Sequence, residues 1–93
     1  MYGVIVEVKV DATREEDMLT MLREMVVPRA SARAGFVAGY WLRATDGDFI
    51  RVLEIYDSAD NAQAAASQIA EGPPPGAPVT LEALAMYEVI AKA

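Results

Sequence analysis

The sequence predicts an α+β fold in the order β-α-β-β-α-β, a four-stranded antiparallel sheet with both helices on one face, and three features carry that prediction. Residues 2 to 10 alternate, with Val4, Val6, Val8 and Val10 on one side and Gly3, Ile5, Glu7 and Lys9 on the other. Residues 36 to 57 hold two runs rich in β-branched and aromatic residues around Thr45-Asp46-Gly47-Asp48, which reads as a β-hairpin. After the first and third of these strands come stretches whose apolar residues recur at helical spacing. Right-handed crossovers then place both helices on one face, with strands one and three central. The 93 residues are expected to form a single domain, 1–93.

Taken in order, strand one ends at Asp11-Ala12, and Thr13-Arg14-Glu15-Glu16 matches a capping box between Thr13 and Glu16. Met18, Leu19, Leu22, Met25 and Val26 give helix one its apolar side. Pro28, lacking an N–H, should kink or end that helix, and Gly35 should stop the piece that follows. In the hairpin, Asp46-Gly47 suits a type I′ turn, which requires positive φ; on that basis Gly47→Val should cost more than ~1 kcal/mol. A two-residue loop sets Leu42 opposite Arg51, Trp41 opposite Val52, Tyr40 opposite Leu53 and Gly39 opposite Glu54.

Asp57-Ser58 caps helix two, whose stripe of Ala62, Ala65, Ala66, Ile69 and Ala70 is almost wholly alanine. Gly72 to Pro78 can join neither helix nor ladder and reads as a loop, more a linker than a docking motif. A last strand is expected over about 85–91, with residues 79–84 open between strand, turn and helix.

Composition excludes several kinds of chemistry. There is no Cys and no His, which removes thiolate chemistry, the commonest metal ligand and the usual general base at neutral pH. The expectation is no metal and no tightly bound cofactor. A net charge of −6 without a basic cluster argues against nucleic acid and anionic membranes as partners. The N-terminus reads as a strand rather than a signal peptide, and no run approaches a membrane span, so a cytoplasmic protein is the default expectation.

Both faces of the hairpin are apolar. One carries Phe36, Ala38, Tyr40, Leu42, Phe49, Leu53 and Ile55; the other carries Val37, Gly39, Trp41, Arg43, Ile50, Val52, Glu54 and Tyr56. A sheet covered on one side by its own helices then needs a second cover, which a sheet-to-sheet homodimer supplies. The face expected to meet the partner is that of Trp41, Ile50, Val52 and Tyr56, joined by Ile5.

The chain resembles the dimeric α/β-barrel superfamily, ferredoxin-like in fold, and within it the antibiotic-biosynthesis-monooxygenase-like domains. The resemblance lies in Pro28 late in helix one, Ala34-Gly35-Phe36-Val37, Glu54-Ile55-Tyr56-Asp57-Ser58 before an Ala-rich helix, and Tyr87-Glu88-Val89-Ile90. It implies a homodimer and a small-molecule role ranging from cofactor-independent monooxygenase to haem degradation or ligand sensing. The haem-degrading pattern of Asn, Trp and His does not carry over. His is absent, Asn61 stands beside the cap of helix two, and Trp41 is on strand two.

Trp41, Arg43, Glu54 and Tyr56 are the candidate ligand-binding residues, and no catalytic residue can be named. Gly39 opposite Glu54 leaves a gap for a flat aromatic molecule, with Arg43 or Tyr56 bonding its oxygens and Glu54 taking a proton. The plainer reading makes Trp41 and Tyr56 core or interface aromatics and Arg43–Glu54 a diagonal ion pair. Glu7 and Glu88 add carboxylates only if they turn inward; otherwise they are rim residues. Met18, Met21 and Met25 suit either an adaptable core or a pocket for varied shapes. Three functions follow: a small-molecule enzyme, a non-catalytic ligand-binding dimer, or a structural dimer filled by its own side chains. A cavity of roughly 300 Å³ favours the first two and a filled interior the third.

Overall fold

The computed structural model describes all 93 residues. Its strands are β1 (Tyr2–Val10), β2 (Phe36–Arg43), β3 (Phe49–Tyr56) and β4 (Val79–Glu88), in the sheet order β2-β3-β1-β4, and every neighbouring pair is antiparallel. Between β1 and β2 run α1 (Glu15–Met21), a π-helical turn (Leu22–Val26) and α2 (Val27–Ser31); α3 (Ala59–Ala70) joins β3 to β4. This is the β-α-β-β-α-β, ferredoxin-like arrangement, with β1 and β3 central as expected. No helix is long and apolar enough to cross a membrane.

Pro28 neither ends nor breaks the first helical segment. The turn before it widens, with the Val27 N–H reaching back to the Leu22 carbonyl, five residues away. Such a turn accommodates a ring that has no N–H to give and needs room against the preceding carbonyls. The expected capping box is absent. Asp11 takes the capping role instead, accepting from the Thr13 N–H at 3.0 Å and the Thr13 hydroxyl at 2.7 Å, and those bonds hold the Asp11 carboxyl below its ordinary pKa. A carboxylate two residues earlier engages Thr13 in place of Glu16.

The hairpin register is the predicted one at all four pairs from Leu42–Arg51 to Gly39–Glu54. The turn is not. Gly47 is absent from the residues with positive φ, and no non-glycine residue adopts it, so a type I′ turn does not form. A bond from the Ala44 N–H to the Phe49 carbonyl (3.0 Å) closes a longer loop over residues 45 to 48, with the same centre and hence the same register. Nothing lies within 4 Å of a Cβ at Gly47, so Gly47→Val loses the cost expected from strain. The conformationally demanding glycine is Gly35, at φ 76°, where a Cβ would collide with Asn61 and Asp57.

Two bulges alter the faces. In β2, Val37 is the extra residue, so Phe36 turns to the same side as Tyr56 and meets it edge-on, ring centres 5.9 Å apart. In β4 the register slips between Glu7 and Val8, leaving Glu82 without an opposite residue. Val79 and Leu81 before that slip, and Leu84 and Met86 after it, all pack on the core. Residues 79–84 are therefore strand, and β4 ends at Glu88.

The assignment of faces is reversed. Val4 lies opposite Glu54 and Val6 opposite Val52, so the valines of β1 share a side with Trp41, Val52 and Tyr56. That side is the one the helical segments cover: Val4, Val6, Met18, Val52, Tyr56 and the alanines of α3 form one buried cluster. Ile5, opposite Leu53, points the other way, with Tyr40, Leu42, Phe49 and Tyr87 among the exposed large apolar side chains of the uncovered face.

Candidate functional site

The two helical segments sit on the sheet differently. Ala62, Ala65 and Ala66 of α3 are almost fully buried because short side chains let the helix approach closely. The first segment presents Met18, Met21, Leu22, Met25 and Val26, and a cavity of about 180 Å³ remains beneath it. Its floor is made by Val6, Val8, Trp41, Ile50 and Val52 of the sheet. Gln68 and Ile69 close the α3 side, and Gly72, Pro73, Pro74 and Arg29 stand at the mouth. The Pro-rich loop is thus part of a cavity wall. At about 180 Å³ the space falls short of the roughly 300 Å³ expected of a ligand site, yet the interior is not filled, and the volume is comparable to an apolar cavity of about 150 Å³ that admits a benzene ring.

One carboxylate faces this apolar space. Glu54 is 3% exposed, and its Oε1 accepts from the Tyr56 hydroxyl at 2.6 Å and from Arg33 Nη1 at 3.1 Å. Arg33 also donates through Nε to Gln68 Oε1 at 3.0 Å, which links β3, the end of the first helical segment and α3. Both donors to Glu54 converge on Oε1. Oε2 accepts no side-chain hydrogen bond, and Glu54 lines the cavity. Burial, and then the bond to Glu54, pushes the Tyr56 hydroxyl up to about 12. At neutral pH Tyr56 is therefore a fixed donor holding Glu54 in place.

The four residues singled out in the sequence separate. Trp41 and Glu54 line the cavity, and Tyr56 lies directly behind Glu54, fully buried. Arg43 is elsewhere: it pairs with Glu15 at the start of α1, and the expected Arg43–Glu54 pair does not form. The gap at Gly39 is closed from within the strand, because the Trp41 ring folds back over Gly39 and Phe36 abuts it. A ligand has room under α1, not on Gly39. Glu7 faces the uncovered side and pairs with Arg51 at 3.2 Å, while Glu88 is exposed at the end of β4. The residue that does pair with Glu54, Arg33, was missed in the sequence. It lies between α2 and Gly35, in a stretch with no periodicity to point it inward.

Comparisons with known proteins place this geometry in context. In fold, the chain is similar to the heme-degrader MhuD from Mycobacterium tuberculosis, solved with two hemes bound in its active site. The two are 19% identical with a TM-score of 0.68, over 100% of this chain and 99% of that one. It is also similar to a monooxygenase from the gene ActVA-Orf6 of Streptomyces coelicolor in complex with Nanaomycin D (12% identity, TM-score 0.60, 99% and 89% coverage). A third is a dimeric ferredoxin-like protein from an uncultured marine organism (12% identity, TM-score 0.65, 100% and 98% coverage). No curated protein sequence matches significantly. The model of the antibiotic biosynthesis monooxygenase family matches residues 1–68, from β1 into α3, and the chain belongs to that family.

Proposed function

We propose that this protein binds a small aromatic hydroxyl compound in the cavity beneath α1 and acts on it in the manner of a cofactor-independent monooxygenase. The observation that carries the reading is the single buried carboxylate lining a largely apolar cavity, with Tyr56 and Arg33 both bonded to one of its oxygens. An aromatic ring fits the apolar walls, and a phenolic hydroxyl supplies the donor that Oε2 lacks. In the reaction, Glu54 accepts the phenolic proton, raising electron density on the ring. Dioxygen then places one oxygen on the ring carbon para to the hydroxyl. That carbon loses its hydrogen and becomes a carbonyl, the phenol becomes the second carbonyl, and the other oxygen leaves as water carrying both hydrogens. The product is a quinone, and no other oxidant or reductant is required.

Haem does not suit these residues. The chain has no His, no tyrosine lines the cavity, and Tyr56 is engaged with Glu54. Hemin titrated into the protein should give no defined Soret band; a specific spectrum would reverse this part of the reading. Trp41, the sole tryptophan, lines the cavity and reports on occupancy. Titration with 1-naphthol should change its emission saturably, and oxygen uptake should accompany turnover. Saturable binding without oxygen uptake assigns a binding role alone, and no saturable change sinks the proposal.

The uncovered sheet face is read as the seat of a second copy, which also fits the resemblance to a dimeric ferredoxin-like protein. Ile5, Tyr40, Leu42, Phe49 and Tyr87 make it apolar, with Glu7–Arg51 at one end. Pairing two such faces would bury on the order of 1,600 Å², the size of a specific interface. Light scattering at micromolar concentration should give twice the 10.0 kDa chain mass. Tyr40→Glu or Leu42→Glu should yield monomer with an intact core. A wild type that stays monomeric would rule the pairing out.

A further inference from the structure

We propose that the compound taken up by the cavity is an anion: a small hydroxylated aromatic carboxylate whose acid group lies on Arg29. This deepens the reading of the cavity as a phenol site and depends on it. The first support is charge. In a chain of net charge −6, the only ionisable residues lining this cavity are Arg29, Arg33 and Glu54, two cations against one anion. Arg33 is committed, since its Nη1 bonds Glu54 and its Nε bonds Gln68. Arg29 is not: it forms none of the four ion pairs and none of the side-chain hydrogen bonds. Three other cations also lack an ion pair, Lys9, Arg23 and Lys92, but none of them lines the cavity.

The second support is position. Glu54 is at the buried end, on β3, and Arg29 is exposed at the mouth beside Pro73 and Pro74. A donor group entering first meets Glu54 Oε2, the ring lies along Trp41 and the methionines, and an acid at the far end emerges under the guanidinium. Guanidinium and carboxylate are matched in shape, each offering two parallel hydrogen-bonding sites. The charge balance also favours a monoanion, because the single uncompensated positive charge at the cavity is neutralised by one carboxylate. Without Arg29 the field of an acidic chain would repel such a ligand.

Trp41 emission tests this with 3-hydroxybenzoate, whose carbon para to the hydroxyl keeps its hydrogen, and its neutral counterpart 3-hydroxybenzamide, at low ionic strength. The acid should bind about tenfold more tightly than the amide, as a charge-assisted contact is worth at a partly exposed site. Arg29→Gln should abolish that preference, bringing acid and amide to equal affinity, and Arg29→Lys should restore part of it. Equal binding of acid and amide by the wild type overturns the inference and leaves the phenol site standing. So does a preference that survives in Arg29→Gln. If 1-naphthol, the amide and the acid all fail to change Trp41 emission, the cavity reading itself falls, and this inference with it.

Discussion

The two helical segments occupy equivalent places in the β-α-β-β-α-β order, yet one lies flush on the sheet and the other stands off it. On α3 the inward residues are Ala62, Ala65 and Ala66, with Ala62 fully buried. On the first segment they are Met18, Met21, Leu22, Met25 and Val26, long side chains on a helix widened by a π turn before Pro28, and a cavity of about 180 Å³ stays open. Small residues bring backbones together with nothing left to fill. Flexible ones hold them apart and can move aside for a guest. The same fold thus keeps one half for packing and the other for a ligand.

The comparison breaks most visibly on the flush side. Ala65→Leu adds three carbons where the helix already touches the strands, and overpacking of that kind should cost about 2–3 kcal/mol. For a chain of this size the melting temperature should then fall by roughly 10–20 °C. An unchanged melting temperature would mean that α3 is not seated as closely as its buried alanines imply.

Much of this contrast is written in the sequence, and some of it is not. The Ala stripe and the methionines of helix one are there to be read, as is the hairpin register, because the pairing centre at Asp46-Gly47 survives a change of turn type. The bulges at Val37 and Glu82 leave no mark, since each merely interrupts an alternation that side chains of similar polarity would blur anyway. The reversed faces have one cause: both sides of the hairpin are apolar, so only the pairing of Val4 with Glu54 decides which side the helices cover. At the site, Trp41, Glu54 and Tyr56 share a face by alternation alone. Arg43 also has that parity, but it lies where β2 runs out beside Glu15, and reaching there is easier than reaching back to Glu54. Arg33 comes into contact only through the chain reversal at Gly35, a tertiary event that no local pattern encodes.

A second test acts on the seam between the halves, where Gln68 of α3, Arg33, Glu54 and Tyr56 are joined in one line. Tyr56 titrates at about 12 in the fold against 10.0 ordinarily, so the folded state holds its proton more tightly than the unfolded chain does. That contribution is fully present below pH 10 and is lost as the pH rises towards about 12. Denaturant unfolding should show stability falling across that window, with a slope approaching about 1.4 kcal/mol per pH unit for the one proton. Tyr56→Phe should lack that component. A wild-type profile matching that of Tyr56→Phe would place the hydroxyl outside the bond to Glu54.

The smallest expected effect is the sharpest discriminator, because it adds bulk on the side that stands off. Leu22 projects from the π turn into the cavity. Leu22→Phe enlarges a side chain, as Ala65→Leu does, but into space that already exists. Its cost in strain is offset by the contacts that a ring gains against Val52, Trp41 and Met18, so stability should change by no more than about 0.5 kcal/mol. Binding should change far more, because the ring takes the volume proposed for the ligand: 1-naphthol should lose its saturable effect on Trp41 emission while the melting temperature holds. Overpacking that proves as costly at Leu22 as at Ala65 would show the cavity to be closed in solution. A stable Leu22→Phe that binds as well as the wild type would move the ligand out from under α1.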